Sequence, residues 1–345
     1  MSSLANNAIV AKAKAMYGKF LQPEDYDRMA KLKSIPDLVK YLQNHPHYEK
    51  TLKDVQAITI HRGHLEALIR KNRVEQIIKL IKLVYSKDKD FYMLDVVYQQ
   101  NEIILSVLRK IISDDSADIS GSIPFFYNVP TEIDFSKLLN VTNFADLLKA
   151  LENTVYYSIL KPFATDDKDK IRYIDIEHAL EVYLYRLVFK TIDQFYHGKL
   201  KHDLEHLFKL RIDLNNITKI YRLKKFYNAD PLSIRNVLVD EFSEMSSKTL
   251  DKLVMIEDPD QLLKDFDKKG VTSVAIEDEY VFIEYFTGKM RFELAKKIMY
   301  FSGEVPEIYT AFTILSQFEL DNLIQIIEAI RYQINENEIK QMLIY

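Results

Sequence analysis

The stretch His202-Asp203-Leu204-Glu205-His206 has the residue types and spacing that could carry hydrolytic chemistry. On a helix, His202 and His206 stand at i and i+4 and face one point, where two imidazoles can hold zinc while Glu205 works a bound water. A third ligand would come from downstream, with Glu277 or Glu279 as nominees. The flanks, KLKHDLEHLFKL, read as ordinary charged helix surface, and a five-residue pattern of common residues arises easily by chance. The segment DDKDKIRYIDIE has acids at calcium-loop separation, but Lys168 and Lys170 occupy ligand positions and no glycine makes the central turn. The chain has no Cys, which excludes disulfides, thiolate catalysis and Cys-ligated zinc. No phosphate loop or dinucleotide fingerprint is present. RLKKFYNADPLSIR mixes cations and aromatics as nucleic-acid binders do, yet the chain carries a net charge of −4. The expectation is a protein without a catalytic, cofactor or metal site of its own.

The elements that would position any such residues are helices. Only 7 Gly and 9 Pro occur in 345 residues, so the residues that punctuate tight turns are scarce. In HLEALIRKNRVEQIIKLIKLVY, Leu65, Leu68, Ile69, Ile77, Leu80, Ile81 and Val84 recur at three- and four-residue steps and form one apolar stripe. ELDNLIQIIEAIRYQI repeats the pattern through Leu320, Leu323, Ile324, Ile327, Ile330 and Ile334. MLDVVYQQNEIILSVLRKII and IDIEHALEVYLYRLVFKTIDQF read the same way, the latter with an acidic first turn that suits the helix dipole. SDDSADISGSIPFFYNVPTEID, 113–134, is the clearest linker, and VTSVAIEDEYVFIEYF reads as extended and then helical. The first twenty residues suggest an amphipathic helix rather than a signal peptide, and no run of about 18 uncharged apolar residues suggests a membrane span. Residues 1–239 carry 36 Lys and Arg against 30 Asp and Glu, whereas 240–345 carry 11 against 21, an asymmetry able to orient the protein between partners of opposite sign.

The helical text repeats. DLVKYLQNHPHY at 37–48 returns as DLLKALENTVYY at 146–157, with Asp, Leu, Lys, Leu, Asn and Tyr shared at an offset of 109 residues. QLLKDF at 261–266 is a weaker third copy. Downstream, DLNNITKI at 213–220 matches ELDNLIQI at 319–326: an acid, two residues, Asn, an aliphatic, two residues, Ile. YQQNEIILSVLRK keeps that pattern loosely through Asn101, Ile103 and Arg109. Leucine-rich helices all resemble one another, which explains the aliphatic matches but not the fixed spacing of Asp, Asn and Tyr. Three helical repeats of about 110 residues account for the chain, as 1–128, 129–245 and 246–345.

The order, number and length of these elements resemble the C subunit of the V/A-type rotary ATPases, the relative of the d subunit of the eukaryotic vacuolar enzyme. The resemblance rests on SIPDLVKYLQNHPHY and TNFADLLKALENTVYY, and on the acid-x-x-Asn helix followed by Arg222, Lys224 and Lys225 in DLNNITKIYRLKKF. It implies an all-α fold of three pseudo-symmetric bundles arranged as a funnel. It further implies a non-catalytic central-stalk role between the shaft of D and F subunits and the membrane rotor ring, at the cytoplasmic face of a complex that transports protons or sodium. A soluble helical-repeat scaffold is the alternative, and a zinc hydrolase built on HDLEH is a more distant one. Asp213, Asn216, Glu319 and Asn322 fall on one helical face at i and i+3, where they can hydrogen-bond a neighbouring helix end or line the inner wall of the funnel, and the structural role is the expectation. Tyr48 and Tyr157 are expected to be core aromatics with hydrogen-bonded hydroxyls. His45-Pro46 replaces the turn of the second copy, and Thr272 stands where a third Tyr would fall.

Overall fold

A computed structural model of the chain describes residues 2–113, 131–262, 264 and 283–345. The described residues are helical throughout their regular structure, with no strand among them. The nominated zinc ligands Glu277 and Glu279, most of the linker 113–134, the first part of VTSVAIEDEYVFIEYF and half of QLLKDF lie outside them. The described residues gather into two compact units, one of Met1–Ser86 with His197–Tyr345 and one of Lys87–Tyr196.

In the first unit, α1 (Ser2–Tyr17) is followed by three short helices, α2 (Pro23–Met29), α3 (Ile35–Gln43) and α4 (Glu49–Leu52), and then by α5 (Arg62–Ile81). Ser34 starts α3 by accepting the Asp37 N–H at 3.2 Å, which satisfies a donor that the first helical turn leaves open. Leu38, Val39 and Leu42 of α3 and Leu52 of α4 are fully buried, as are Leu65 and Ile69 of α5. They pack on a helix from the far end of the chain, Val305–Tyr332, through Leu320, Leu323, Ile326, Ile327 and Ile330.

The second unit holds α6 (Lys89–Ser113), α7 (Phe135–Leu138), α8 (Phe144–Ala150), α9 (Val155–Leu160) and α10 (Tyr173–Phe195). Asn143 caps α8 by accepting the Asp146 N–H at 2.9 Å, the counterpart of the Ser34 cap 109 residues earlier. The long helices α6 and α10 pack against each other, with Ile104, Val107 and Leu108 on one and Ile176, Leu180 and Val188 on the other fully or almost fully buried.

The chain then returns to the first unit with α11 (Gly198–Tyr227), α12 (Pro231–Asn236), α13 (Ser247–Val254), α14 (Ile283–Phe301), α15 (Val305–Tyr332) and α16 (Glu336–Met342). A second core joins Leu214, Ile220 and Tyr221 of α11 to Ile234, Leu238, Leu250, Val254, Ile283 and Phe286. Ser246 caps α13 by accepting the Thr249 N–H at 3.2 Å, and Leu250 and Val254 are buried as Leu38 and Leu42 are. The structural counterpart of α3 and α8 in the last third is therefore α13, which starts earlier than QLLKDF. Its first turn carries Thr249 in place of the aspartate, and this hides the match in the sequence.

Gly288 sets the closeness of α14 to α15. A Cβ there would lie 2.6 Å from Ile344 Cδ1 and 3.3 Å from the Phe318 ring. Ala gains roughly 1 kcal/mol of helix propensity, against a rotation of the Ile344 side chain and a small shift of the Phe318 ring. Val adds two methyl groups to the same space and is expected to cost about 1–3 kcal/mol by overpacking. Thermal unfolding of G288A and G288V should give a near-native and a clearly lowered melting temperature; equal melting of the two would show that α14 has slack at this point.

Candidate functional site

The residues singled out in the sequence converge on backbone. Asn216 on α11 is 1% exposed; its Nδ2 donates to the Val239 carbonyl at 2.8 Å and its Oδ1 accepts the Val239 N–H at 2.9 Å. Asn322 on α15 is 2% exposed and does the same with Ile344, at 2.7 and 3.0 Å. A carboxamide presents a donor and an acceptor side by side, as a peptide group does, so each asparagine stands in for a neighbouring β-strand. Buried peptide groups need partners, and both partners come here from one side chain.

The surroundings of the two clamps recur. α11 ends at Asn228 and α15 at Gln333, both in the left-handed conformation that commonly stops a helix. Two residues later, Asp230 caps α12, accepting the Ser233 N–H at 3.0 Å, and Asn335 caps α16, accepting the Glu338 N–H at 3.0 Å. Val239 and Ile344 each follow their cap by nine residues. The third asparagine, Asn101 on α6, donates to the Leu180 carbonyl at 3.0 Å, while its buried Oδ1 has no hydrogen-bond partner. It makes half of the arrangement.

One turn before each full clamp sits a buried acid. Asp213 accepts the Ser243 hydroxyl, and burial raises its pKa in spite of that bond. Glu319 accepts the Tyr48 hydroxyl on Oε1 and the Leu21 N–H on Oε2, each at 2.7 Å, and His47 Nε2 lies 3.2 Å from Oε1. No motif in the sequence points to His47; the repeat reaches only its neighbour Tyr48. The second-copy tyrosine in the core is Tyr156, whose hydroxyl donates to Gln100 Oε1 at 2.8 Å. Tyr157 is half-buried, with Lys161 over its ring at 5.4 Å, because the turn of α9 directs the preceding residue inward. Arg222 is a half-exposed cation 3.5 Å from Glu284.

HDLEH is divided among different partners. His202 is largely exposed beside Asp203, Glu205 lies between Lys201 and Lys209 at 3.8 and 3.7 Å, and His206 Nδ1 lies 3.1 Å from Glu244. Among the described residues, no group of three His, Asp or Glu side chains is placed to hold a metal ion. No helix among them is long and apolar enough to cross a membrane.

These features define a class: an all-helical protein of recurrent clamp units, in which the most buried polar side chains hold backbone segments together. The chain belongs to the ATP synthase (C/AC39) subunit family, whose model matches residues 9–342. It is 24% identical to the C subunit of the A-type ATP synthase of Archaeoglobus fulgidus over 290 residues, 80% of each chain. It is 25% identical to the C subunit of the A-type ATP synthase of Methanosarcina mazei over 249 residues, 70% of this chain and 65% of that protein. The family is the one that the repeated motifs resemble.

Removing a clamp leaves a buried peptide N–H and C=O without partners, at about 1–3 kcal/mol for each group. Asn216→Leu and Asn322→Leu should therefore each destabilise the fold by on the order of 2–5 kcal/mol, and Asn101→Leu, which loses one bond, by about 1 kcal/mol. Urea unfolding gives the ranking, and hydrogen exchange at the Val239 and Ile344 amides localises it. Equal losses in all three variants would contradict the clamp account.

Proposed function

We propose that the chain is the non-catalytic central-stalk subunit of a V/A-type rotary ATPase. In this reading it joins a shaft of D and F subunits to the membrane rotor ring, peripheral to the membrane at its cytoplasmic face, in a complex that moves protons or sodium. Its three repeats, 1–128, 129–245 and 246–345, form bundles about a pseudo-threefold axis and make a funnel. Family membership and the names of the relatives support the subunit assignment.

The observation that carries the mechanical reading is the order of partners. The α15 end of the third repeat packs on α3 and α4 of the first, and α11 of the second packs on α13 at the start of the third. α6 of the first repeat is bonded through Gln100 to Tyr156 of the second. Each core thus pairs the end of one repeat with the start of another, as a chain wound about a threefold axis requires. Load passed between two partners then crosses packed helices and clamped backbone rather than loops.

Exposed side chains at the helix ends offer contact surface. Phe226, Tyr227 and Leu232 stand 59%, 66% and 70% exposed where α11 turns into α12, and Tyr332 stands 64% exposed at the corresponding end of α15. Tyr227 and Tyr332 hold the same position, immediately before the left-handed residue. Aromatics of this kind carry much of the energy of protein interfaces.

The chain used as bait on solubilised membranes should recover the shaft, catalytic and ring subunits, identified by mass spectrometry with bound metal measured in the same sample. Recovery of none of them would overturn the assignment in favour of an independent scaffold, and one zinc per chain would favour the HDLEH hydrolase. The double variant Tyr227→Ser, Tyr332→Ser should melt as the parent does and recover fewer partners; undiminished recovery would remove the helix ends as the contact. Charge reversal in 240–345, and separately in 1–239, should weaken shaft and ring recovery unequally, and equal effects would remove the charge split as an orienting device.

A further inference from the structure

The exposed tyrosines at the ends of α11 and α15 recur in a way that the fold itself does not require. Tyr227 and Tyr332 each stand immediately before the left-handed residue, beside the same clamp and the same capped short helix. The asparagine, the cap and the backbone hold that turn, so many residue types would serve at the last helical position. Among the described residues neither hydroxyl has a hydrogen-bond partner.

Chain direction brings the two tyrosines to one end of the first unit. α11 runs antiparallel to α14: Arg222 lies 3.5 Å from Glu284 and the Thr218 hydroxyl 3.2 Å from that of Thr287, while Lys199 and Leu200 share a cleft with Ser302 and Gly303. α15 is also antiparallel to α14, with Phe318 beside Gly288 and Phe292, and Glu307 bonded to Ser302. α11 and α15 are therefore parallel, and their last turns point the same way. Glu284 links their heights, since it meets Arg222 on one side and shares the wall of a small cavity with Asn322 on the other. Tyr227 is five residues past Arg222 and Tyr332 ten past Asn322, so the two differ in height by about 8 Å at a rise of about 1.5 Å per residue. α5 begins at this end too, because Arg62 pairs with Glu328 at 2.7 Å and Arg73 reaches the Thr313 carbonyl at 3.3 Å. The loop before it adds Ile58, 83% exposed.

We infer that this end is a two-knob surface for a partner that presents the same pocket more than once, a homo-oligomer whose copies each take one tyrosine. On the assignment proposed above, that partner is the membrane rotor ring, because a ring repeats one subunit whereas a shaft of D and F subunits does not. A partner without repetition would need two separately shaped pockets to hold two like knobs, and a symmetric ring supplies the second by rotation. Once one knob is seated, the second engagement is intramolecular, which raises affinity without a new kind of contact. Charge complementarity defines the pocket further. Lys224 lies one turn before Tyr227, and the Arg331 guanidinium stands 5.1 Å over the Tyr332 ring. The matching pocket has an apolar wall for the ring, an acceptor for the phenol and a carboxylate at its rim.

Photo-cross-linking in the assembled membrane complex tests the inference, with p-benzoyl-phenylalanine placed at 227, at 332, or at the exposed Phe301 on the opposite end of α14. Peptide mass spectrometry should find 227 and 332 linked to one and the same peptide of the ring subunit, and 301 not linked to it. Linkage of the two to different peptides, or failure of either to link, while shaft and ring co-purify, would overturn the shared pocket and leave the subunit assignment standing. Linkage of both to one peptide of a protein outside the ATPase would overturn the assignment and keep the shared pocket. In binding to solubilised ring, Tyr227→Ala and Tyr332→Ala should each lose about tenfold in affinity and the double variant about a hundredfold. A pair in which one change has no effect would reject the two-knob surface.

Discussion

The structure around the two longest helices depends on a carboxamide pairing with a peptide group. Helices α11 and α15 bury one asparagine each, and each asparagine holds both hydrogen-bonding groups of a residue in the segment that follows. The capped short helix between them returns the chain to the right height for that pairing. Without the clamp, the backbone at Val239 and Ile344 would be buried with open valences, and the aliphatic side chains beside it would lose the surface they pack on. The hydrophobic cores supply most of the burial energy, but the amides decide where the returning segment lies.

The acid one turn earlier extends the same logic with different reach. Asp213 meets Ser243, four residues beyond the segment clamped by Asn216. Glu319 has one more methylene and meets Tyr48, Leu21 and His47, which are distant in sequence. Both carboxyls are pushed upward, because burial disfavours their charged form and their hydrogen bonds only partly offset that effect.

Much of this was legible in the sequence because it is local. The aliphatic stripes of α5 and α15, the acidic first turn of α10 and the acid-x-x-Asn spacing are consequences of helical period, and they point to the faces that are buried. The partners were not legible, since nothing in DLNNITKI says that its asparagine reaches Val239. Tyr156 rather than Tyr157 enters the core because α9 starts at Val155, three residues before the position that matches the start of α4 at Glu49, so a different side of the short helix faces inward. The repeat is hidden at α13 because Thr249 marks the first turn less visibly than Asp37 and Asp146 do, although the fold uses all three alike. His47 carries no motif; its place beside Glu319 arises only from the distant helix that the fold brings to it.

Repetition creates a hazard that these polar pairs resolve. Segments related by an offset of 109 residues have similar leucine faces, and by hydrophobic contact alone α3 could dock where α8 does. The polar partners differ from one contact to the next: Tyr48 with Glu319, Tyr156 with Gln100, Ser243 with Asp213. An exchange that set α3 on α6 would leave Glu319 buried without the Tyr48 hydroxyl and would present Gln100 to a different hydroxyl at a different height. Leaving a buried acid without its donor costs more than the apolar contacts distinguish, so the junctions discriminate through what the wrong partner lacks. The aliphatic residues make the repeats alike enough to pack, and the buried acids and amides make them different enough to pack in one order.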